Sequence, residues 1–366
     1  MGRPLRIADF SIHRYSLPYT RPVRWFDSVE TAGVYVLLKL VSTDGHVGIA
    51  EAPIRESWAG VSLRSLIAVL EDLFLPAAQA VDVASPEELA RALGRFPENH
   101  LAKMLVDNAC WSMRGHAAGV PLWKLWGGTQ KVPLSWCVTR AEPEAMAEEA
   151  LQVTARHGFK ALKVKGGQGF AKDAAALKHI RKLVGDEVEL YVDANCAYER
   201  GEAIDYVKGI ADLGATIAED PSFLAPDQQF TDLVKSSPVP ILVDTQCASF
   251  QDAVNFLDHG ATALSIKAGR IGLTETRRIS ELAESRGACV SPGMYAESAL
   301  GSLVSLQLTA SIKKPAIPAE ISFFLMLREQ VLQPHIDVVD GQVTLPDNPD
   351  LSSLVDWDRV ARFSVD

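Results

Sequence analysis

Several things are scarce in this sequence, and each shortage narrows the choice. Cysteine is thin: five in 366 residues, at positions 110, 137, 196, 247 and 289, with no CxxC pair. That argues against a disulfide framework and against a zinc site. Long apolar runs are missing too. The greasiest stretch, Leu66–Leu75, is broken by Glu71 and Asp72, so no membrane association is expected. The opening residues have no apolar core of the signal-peptide kind, and a cytoplasmic location is the default expectation. Basic charge is in deficit: 36 Lys and Arg stand against 46 Asp and Glu, a formal net charge of −10. No excess is available to neutralise phosphates, so no nucleic-acid partner is expected. The same deficit means that an anionic substrate would need a metal ion or a lysine cluster to invert the local field.

What is present is ordinary soluble-protein material, 48% apolar and 22% charged, in a length that suits two structural units. The first third reads as strands followed by helices, an α+β unit. Strand-like runs at Val34–Val41 and Val47–Ala50 flank the turn dipeptide Asp44–Gly45. Helical patterns follow at Leu63–Leu75, Glu87–Leu93 and Leu101–Ala118. From about Val132 the rhythm changes. Short β-prone runs recur at Leu134–Val138, Ala161–Lys165, Leu190–Asp193, Ile217–Glu219, Ile241–Asp244, Leu264–Lys267, Ala288–Val290 and Ala319–Ser322. Amphipathic segments lie between most of them, such as Pro143–His157 closed by Gly158 and Glu275–Arg286 closed by Gly287. The repeat predicts an α/β protein with a (β/α)7–8 TIM-type barrel. A doubly wound sheet is the weaker alternative, because no GxGxxG loop follows the first strand. The expected division is an α+β capping domain over residues 1–128, completed by a C-terminal segment 323–366 that returns to it, and a barrel over residues 129–322.

The informative residues are charges at strand ends. Strand periodicity sends residues i and i+2 to one face. Lys163 and Lys165 therefore both point into the barrel, and Asp193 shares its inward face with Asn195. Glu219, Asp244 and Lys267 end the next three strands. A lone charge at a strand end is ordinarily solvated or ion-paired. Charges on five consecutive strands at the C-terminal mouth of a barrel read as catalytic. Three converging carboxylates would repel one another, and a hard divalent cation removes that cost. Oxygen ligands with open positions suit Mg²⁺, with Mn²⁺ as the alternative ion. Asp193, Glu219 and Asp244 are the candidate ligands. A lysine close to a cation and partly desolvated is expected to have a depressed pKa and to act as a base. The implied chemistry is removal or return of a proton next to a carboxylate, through an enediolate that the metal stabilises.

These residues resemble the enolase superfamily, in which a lysine base and Mg²⁺ handle such an intermediate. Lys163–Val164–Lys165, Asp193–Ala194–Asn195, Glu219–Asp220–Pro221, Val243–Asp244 and Lys267 match its pattern in order and spacing. Ala109–Gly128 looks like its junction between cap and barrel. No histidine follows the seventh strand, where Glu297–Ser298 stands instead, and this resembles the muconate-lactonizing (muconate cycloisomerase) subgroup rather than the mandelate racemase one. The resemblance implies that Lys165 moves the proton, that Lys163 tunes it and contacts the substrate carboxylate, and that Lys267 serves the opposite face. It implies a small-molecule carboxylate substrate and a homo-oligomer, a dimer or octamer. Thr245–Gln246, Ser112, Gly269–Gly272 and the stretch Glu320–Phe324 depart from the family pattern. The last lacks the paired aspartates by which dipeptide epimerases hold an ammonium, which weighs against a dipeptide substrate.

Asn195, Glu297, Arg24, Trp25 and Trp58 are the candidate substrate-binding residues. Two cap loops, Tyr19–Ser28 and Pro53–Gly60, hold Arg21, Arg24, Trp25, Phe26, Arg55 and Trp58. Their arginines suit a second carboxylate, as on a muconate. Their aromatic rings suit a cationic head, as on a betaine. A Mg²⁺-dependent muconate-type cycloisomerase is the leading expectation. A racemase or epimerase of an N-substituted amino acid or proline betaine comes second, and a hydroxy-acid dehydratase is chemically open. From other classes, a metal-independent class I aldolase and a non-catalytic binding protein stay as alternatives. Cys196 and Cys247, near the candidate ligands in sequence, are expected to be packing residues because no histidine partner is evident.

Overall fold

A computed structural model describes residues 4–25 and 28–365. The chain opens with a three-stranded antiparallel sheet in the order β1 (Ile7–Arg24), β2 (Val29–Ser42), β3 (Val47–Pro53). The Asp44–Gly45 turn joins β2 to β3, with Gly45 at φ 82°. The first strand went unread in the sequence, and residues 19–24 belong to it rather than to a loop. Tyr15, Leu17 and Tyr19 alternate inward along it and are buried. A register shift between Pro18 and Val23 lets the strand run past two prolines. Behind the sheet lies the helix His100–Ala118, whose Leu105 and Ala109 join Leu38, Leu40 and Ala50 in one apolar core. Phe26 lies outside the described residues.

The second unit is a curled parallel sheet. A short β4 (Lys131–Pro133) precedes it. Its seven strands run in sequence order: β5 (Trp136–Val138), β6 (Ala161–Lys165), β7 (Glu189–Asp193), β8 (Ala215–Glu219), β9 (Ile241–Val243), β10 (Ala263–Ile266) and β11 (Cys289–Pro292). Seven of the eight expected runs are strands. The eighth, around Ala319, is reduced to bridging bonds. Glu320 N–H donates to Pro292 O (2.8 Å), and Ser135 N–H donates to Ala319 O (2.9 Å), so the segment joins β11 to the start of β5 and closes the ring. It stops there because Phe323–Met326 turns into a 3₁₀-helix.

Inward positions form layers, as strand alternation requires. Ala161, Tyr191, Ile217, Leu242, Ala263 and Ile317 make an apolar plug inside the ring. Burying each large side chain of such a layer contributes about 1.5–3 kcal/mol. Two residues further along, β6, β7 and β8 bring Lys163, Asp193 and Glu219, so charges sit directly on the plug. Outward residues such as Leu162, Val164, Leu190 and Val192 pack in the larger core beneath the helices. The tail touches both units: β12 (Gln342–Thr344) pairs with β4 beside the barrel, and Ser364 bridges Tyr15 of the first sheet. No helix among the described residues is long and apolar enough to cross a membrane.

Candidate active site

The strand ends open into a cavity of about 540 Å³, roofed by the first unit. Lys163, Lys165, Asn195, Asp244 and Lys267 line it from the barrel, and Arg24, Trp25 and Trp58 line it from the cap. Asp193 and Glu219 lie just beneath, fully buried.

The charges form a ladder. Lys163, 1% exposed, meets Glu219 Oε1 at 2.8 Å, Glu320 Oε2 at 2.8 Å and Asp193 Oδ2 at 3.1 Å. Lys165 Nζ lies 2.6 Å from Asp193 Oδ2 and 3.2 Å from Asn195 Oδ1. Lys267 Nζ lies 2.5 Å from Asp244 Oδ2. Burial opposes the charge on Lys163 and Lys165. The carboxylates beside them outweigh it, Glu219 and Glu320 for the first and Asp193 for the second, and hold both ammonium groups above the ordinary lysine range. The lysines' own partners are anions, and the depressed pKa expected from sequence belongs to the site with a cation on those carboxylates. Burial pushes at Asp193 and Asp244 as well, but Lys165 and Lys267 win and lower both acids. Glu219 goes the other way: burial together with Asp193 raises it well above the carboxylate range.

Among the described residues no three His, Cys, Asp or Glu side chains are grouped tightly enough to hold a divalent cation. Each expected ligand is turned to a lysine instead, so the ammonium groups stand in for a cation. Two features fit Mg²⁺. The three carboxylates raise one another's cost of ionisation, Asp193 and Asp244 both acting on Glu219. Asp244 Oδ1 is buried and accepts no hydrogen bond; Arg270 Nη1 lies 3.3 Å from it. Hard oxygen donors of this kind are what Mg²⁺ takes.

Glu297 does not line the cavity. It is buried behind it, where Tyr295 N–H donates to Oε2 (2.5 Å), and burial pushes its carboxyl up to about 7. It fits because position 269 is glycine: a Cβ there would collide with the Glu297 carboxyl. The neighbouring Ser298 carries a contact between the two units. Its N–H and Oγ donate to Glu51 of β3 at 2.8 and 2.5 Å, and Tyr15 donates to the same carboxylate. Asp220 turns away from the cavity and accepts the N–H groups of Asp244 and Thr245 at 3.0 and 2.9 Å. Asn195, Cys196, Asp220 and Ala296 all have positive φ, 48°, 61°, 39° and 65°, each just past a barrel strand. Such strain collects where side chains are aimed at a site. Burial pushes the Cys196 and Cys247 thiols up to about 12, so neither is a ready nucleophile.

Three polar residues escaped the sequence reading. Glu320 is the fourth carboxylate, 157 positions from its lysine. Arg140 donates to Gly166 O (2.7 Å) and to Asn195 Oδ1 (2.9 Å). Arg270 donates to Cys247 O (2.7 Å) beside its contact with Asp244. Glu320 and Arg270 carried a signal: Glu320 is a charge inside the expected eighth run, and Arg270 is a charge four residues past the end of β10. Arg140 sits two residues past β5.

Residues 145–359 match the Enolase C-terminal domain-like family, and residues 13–127 match the Mandelate racemase / muconate lactonizing enzyme N-terminal domain. The chain belongs to the enolase superfamily. Within it the muconate-lactonizing subgroup is the one its relatives occupy. Muconate cycloisomerase 1-1 of Acinetobacter lwoffii is 27% identical over 96% of this chain and 94% of its own. An o-succinylbenzoate synthase of Geobacillus stearothermophilus is 28% identical over 90% of this chain and 88% of its own. The solved muconate lactonizing enzyme of M. smegmatis, complexed with muconolactone, superposes with a TM-score of 0.91 at 27% identity over the full length of both chains. The protein is an enzyme of an isomerase/lyase type.

Proposed function

We propose that this chain is a Mg²⁺-dependent cycloisomerase of the muconate-lactonizing kind, acting on the carbon next to a substrate carboxylate. The observation that carries the reading is that Lys165 and Lys267 enter one cavity from strands β6 and β10, four places apart in the sheet order, over carboxylates at the ends of the strands between. Asp193, Glu219 and Asp244 would hold the Mg²⁺. When bound, the ion supplies positive charge that stabilises an enediolate and competes with the lysines for the carboxylates. Lys163, fixed by three carboxylates, is a constant cation beside the substrate carboxylate. Lys165 as the free amine takes the proton from the α-carbon, or as the ammonium returns it. Asn195, held by Arg140, orients Lys165. In the opening direction the electron pair left at the α-carbon forms a double bond and expels the lactone oxygen from the β-carbon as a carboxylate; in the closing direction that carboxylate oxygen adds to the β-carbon, the π electron pair moves to the α-carbon and its carboxylate, and the Lys165 ammonium protonates it. A small-molecule carboxylate is the only partner this chemistry needs; the resemblance implies a homo-oligomer, and a cytoplasmic location is the default expectation.

A racemase is the second reading, favoured by the same two lysines, since Lys267 reaches the face opposite Lys165 and can deliver a proton there. The deciding experiment is an NMR screen of carboxylic acids in D₂O with Mg²⁺ and with a chelator. Deuterium entering at the α-carbon only with Mg²⁺ supports the mechanism. Inverted product indicates a racemase, and ring closure or opening a cycloisomerase. Turnover unaffected by the chelator, or trapping by borohydride, would point to a Schiff-base enzyme instead.

A further inference from the structure

The cap's arginines suit a second carboxylate and its rings suit a cationic head, but the geometry removes both occupants. The guanidinium of Arg55 lies 4.3 Å from the ring centroid of Trp25 and 4.8 Å from that of Trp58. The protein's own cation already occupies those faces, and a ligand ammonium would meet its charge. Arg55 is also 4% exposed and paired with Glu30, whose carboxylate accepts the Trp25 Nε1–H at 3.2 Å as well. Its charge is answered within the protein, so it does not call for a ligand carboxylate. Arg140 donates to Gly166 O and Asn195 Oδ1, and the Nη groups of Arg270 are taken by Cys247 O, Asp244 O and the Asp244 carboxylate, leaving its Nε buried without a partner. Arg24 lines the cavity but is exposed, and an ion pair in water contributes only about 0–1 kcal/mol.

What the cap does offer is an apolar surface. Trp58 meets Trp25 edge-on at 5.1 Å and Tyr295 at 5.3 Å; Trp25 in turn packs on Phe323 at 5.3 Å. Trp25 and Trp58 of the cap, Tyr295 just past β11 and Phe323 at the start of the 3₁₀-helix thus make one continuous wall, which Arg55 braces from within the protein. Met294 and Met326 extend it. The cavity volume of about 540 Å³ falls within the roughly 300–1,000 Å³ of sites that enclose drug-sized ligands. A short aliphatic diacid such as muconate would leave the wall without a partner.

Resting on the reading that the floor anchors a carboxylate, we propose that the substrate is a carboxylic acid carrying an uncharged apolar group, about the size of an aromatic ring, beyond the reacting carbon. That group docks on the wall of Trp25, Trp58, Tyr295 and Phe323. Muconate itself lacks it. Rings held rigid before binding lose little freedom when the ligand arrives, so the wall converts apolar contact into selectivity.

Titration calorimetry on the full Mg²⁺-loaded chain tests this with three acids of similar reach: 4-phenylbutanoate, adipate and 4-(trimethylammonio)butanoate. The phenyl acid is expected to bind at least about tenfold tighter than either of the others. Trp58→Ala should erase that preference and leave adipate unchanged. Should Trp58→Ala fail to fold, Arg55→Leu serves instead: with the ring faces opened, the trimethylammonio acid should gain at least about fivefold. Adipate or the trimethylammonio acid binding as tightly as the phenyl acid overturns the proposal. So does failure of all three to bind, or an equal loss for all three in Trp58→Ala. A phenyl preference without deuterium exchange at the α-carbon of any acid supports the wall and overturns the floor mechanism. Exchange confined to short diacids does the reverse.

Discussion

The charged floor of the barrel and the aromatic wall of the cap solve different problems. On the floor, Lys163 has three counter-charges within 3.1 Å, and Lys165 and Lys267 each have one. These side chains stand on or just past strands of a closed sheet, where position is dictated by the ladder. On the wall, the contacts are ring edges and one guanidinium. They are carried by Trp25 just past β1, the one-turn helix Glu56–Ala59, the segment after β11 that holds Tyr295 and the 3₁₀-helix Phe323–Met326. The floor is a fixed pattern of charge that suits one class of reaction. The wall is a shape on short connecting segments, where substrate choice can change without disturbing the chemistry.

If the floor is a mutually dependent unit, removing its central cation should have the largest effect on stability. Lys163→Met leaves Glu219, Glu320 and Asp193 buried without their shared counter-charge, and should cost about 3–5 kcal/mol. Urea denaturation would read this, and added Mg²⁺ should restore part of it. Next comes the joint between the regions. Glu51→Ala strands the donors of Ser298 and Tyr15, at about 1–3 kcal/mol for a donor left unpaired. An unchanged denaturation midpoint would show that the two units are not held together there.

Much of the floor was legible in the sequence because a barrel strand states its own geometry. Lys163 and Lys165 had to share a face, and Asp193, Glu219, Asp244 and Lys267 each closed a run of β-prone residues. The rest depended on contacts between distant positions. Glu320 meets Lys163 across 157 residues, on an eighth segment too short to read firmly as a strand. The positive φ values at Asn195, Asp220 and Ala296 leave no local sign. On the wall, Trp25 and Trp58 were readable as candidates, but the stacking of Arg55 on both was not. That stacking decides what the rings can accept. β1 escaped because Pro18 and Pro22 interrupt it, although the alternation of Tyr15, Leu17 and Tyr19 was its signal.

Two smaller effects sharpen the contrast. Glu297 has a carboxyl pushed up to about 7 against the ordinary 4.5. The folded protein therefore keeps a proton between those values that the unfolded chain has released. The stability from this group is complete below pH 4.5 and is lost as pH rises through 7. Glu297→Gln should flatten that part of the dependence of Tm on pH, measured by calorimetry between pH 5 and 8; an unaltered slope would assign it elsewhere. Arg24→Ala should be the mildest change. Its side chain is exposed at the mouth, and KM should rise less than about fivefold. A far larger rise would mean that the wall region binds a second anion after all.

In the proposed mechanism Lys165 and Lys267 address opposite faces of one intermediate. The direct measurement follows deuterium uptake from D₂O at the α-carbon of each enantiomer of a chiral substrate, in Lys165→Ala and in Lys267→Ala. Each variant is expected to lose exchange with one enantiomer, by roughly 10²–10⁴-fold, and the two variants to lose opposite enantiomers. If both variants lose the same enantiomer, or if either keeps full exchange with both, the two lysines do not share the chemistry as described.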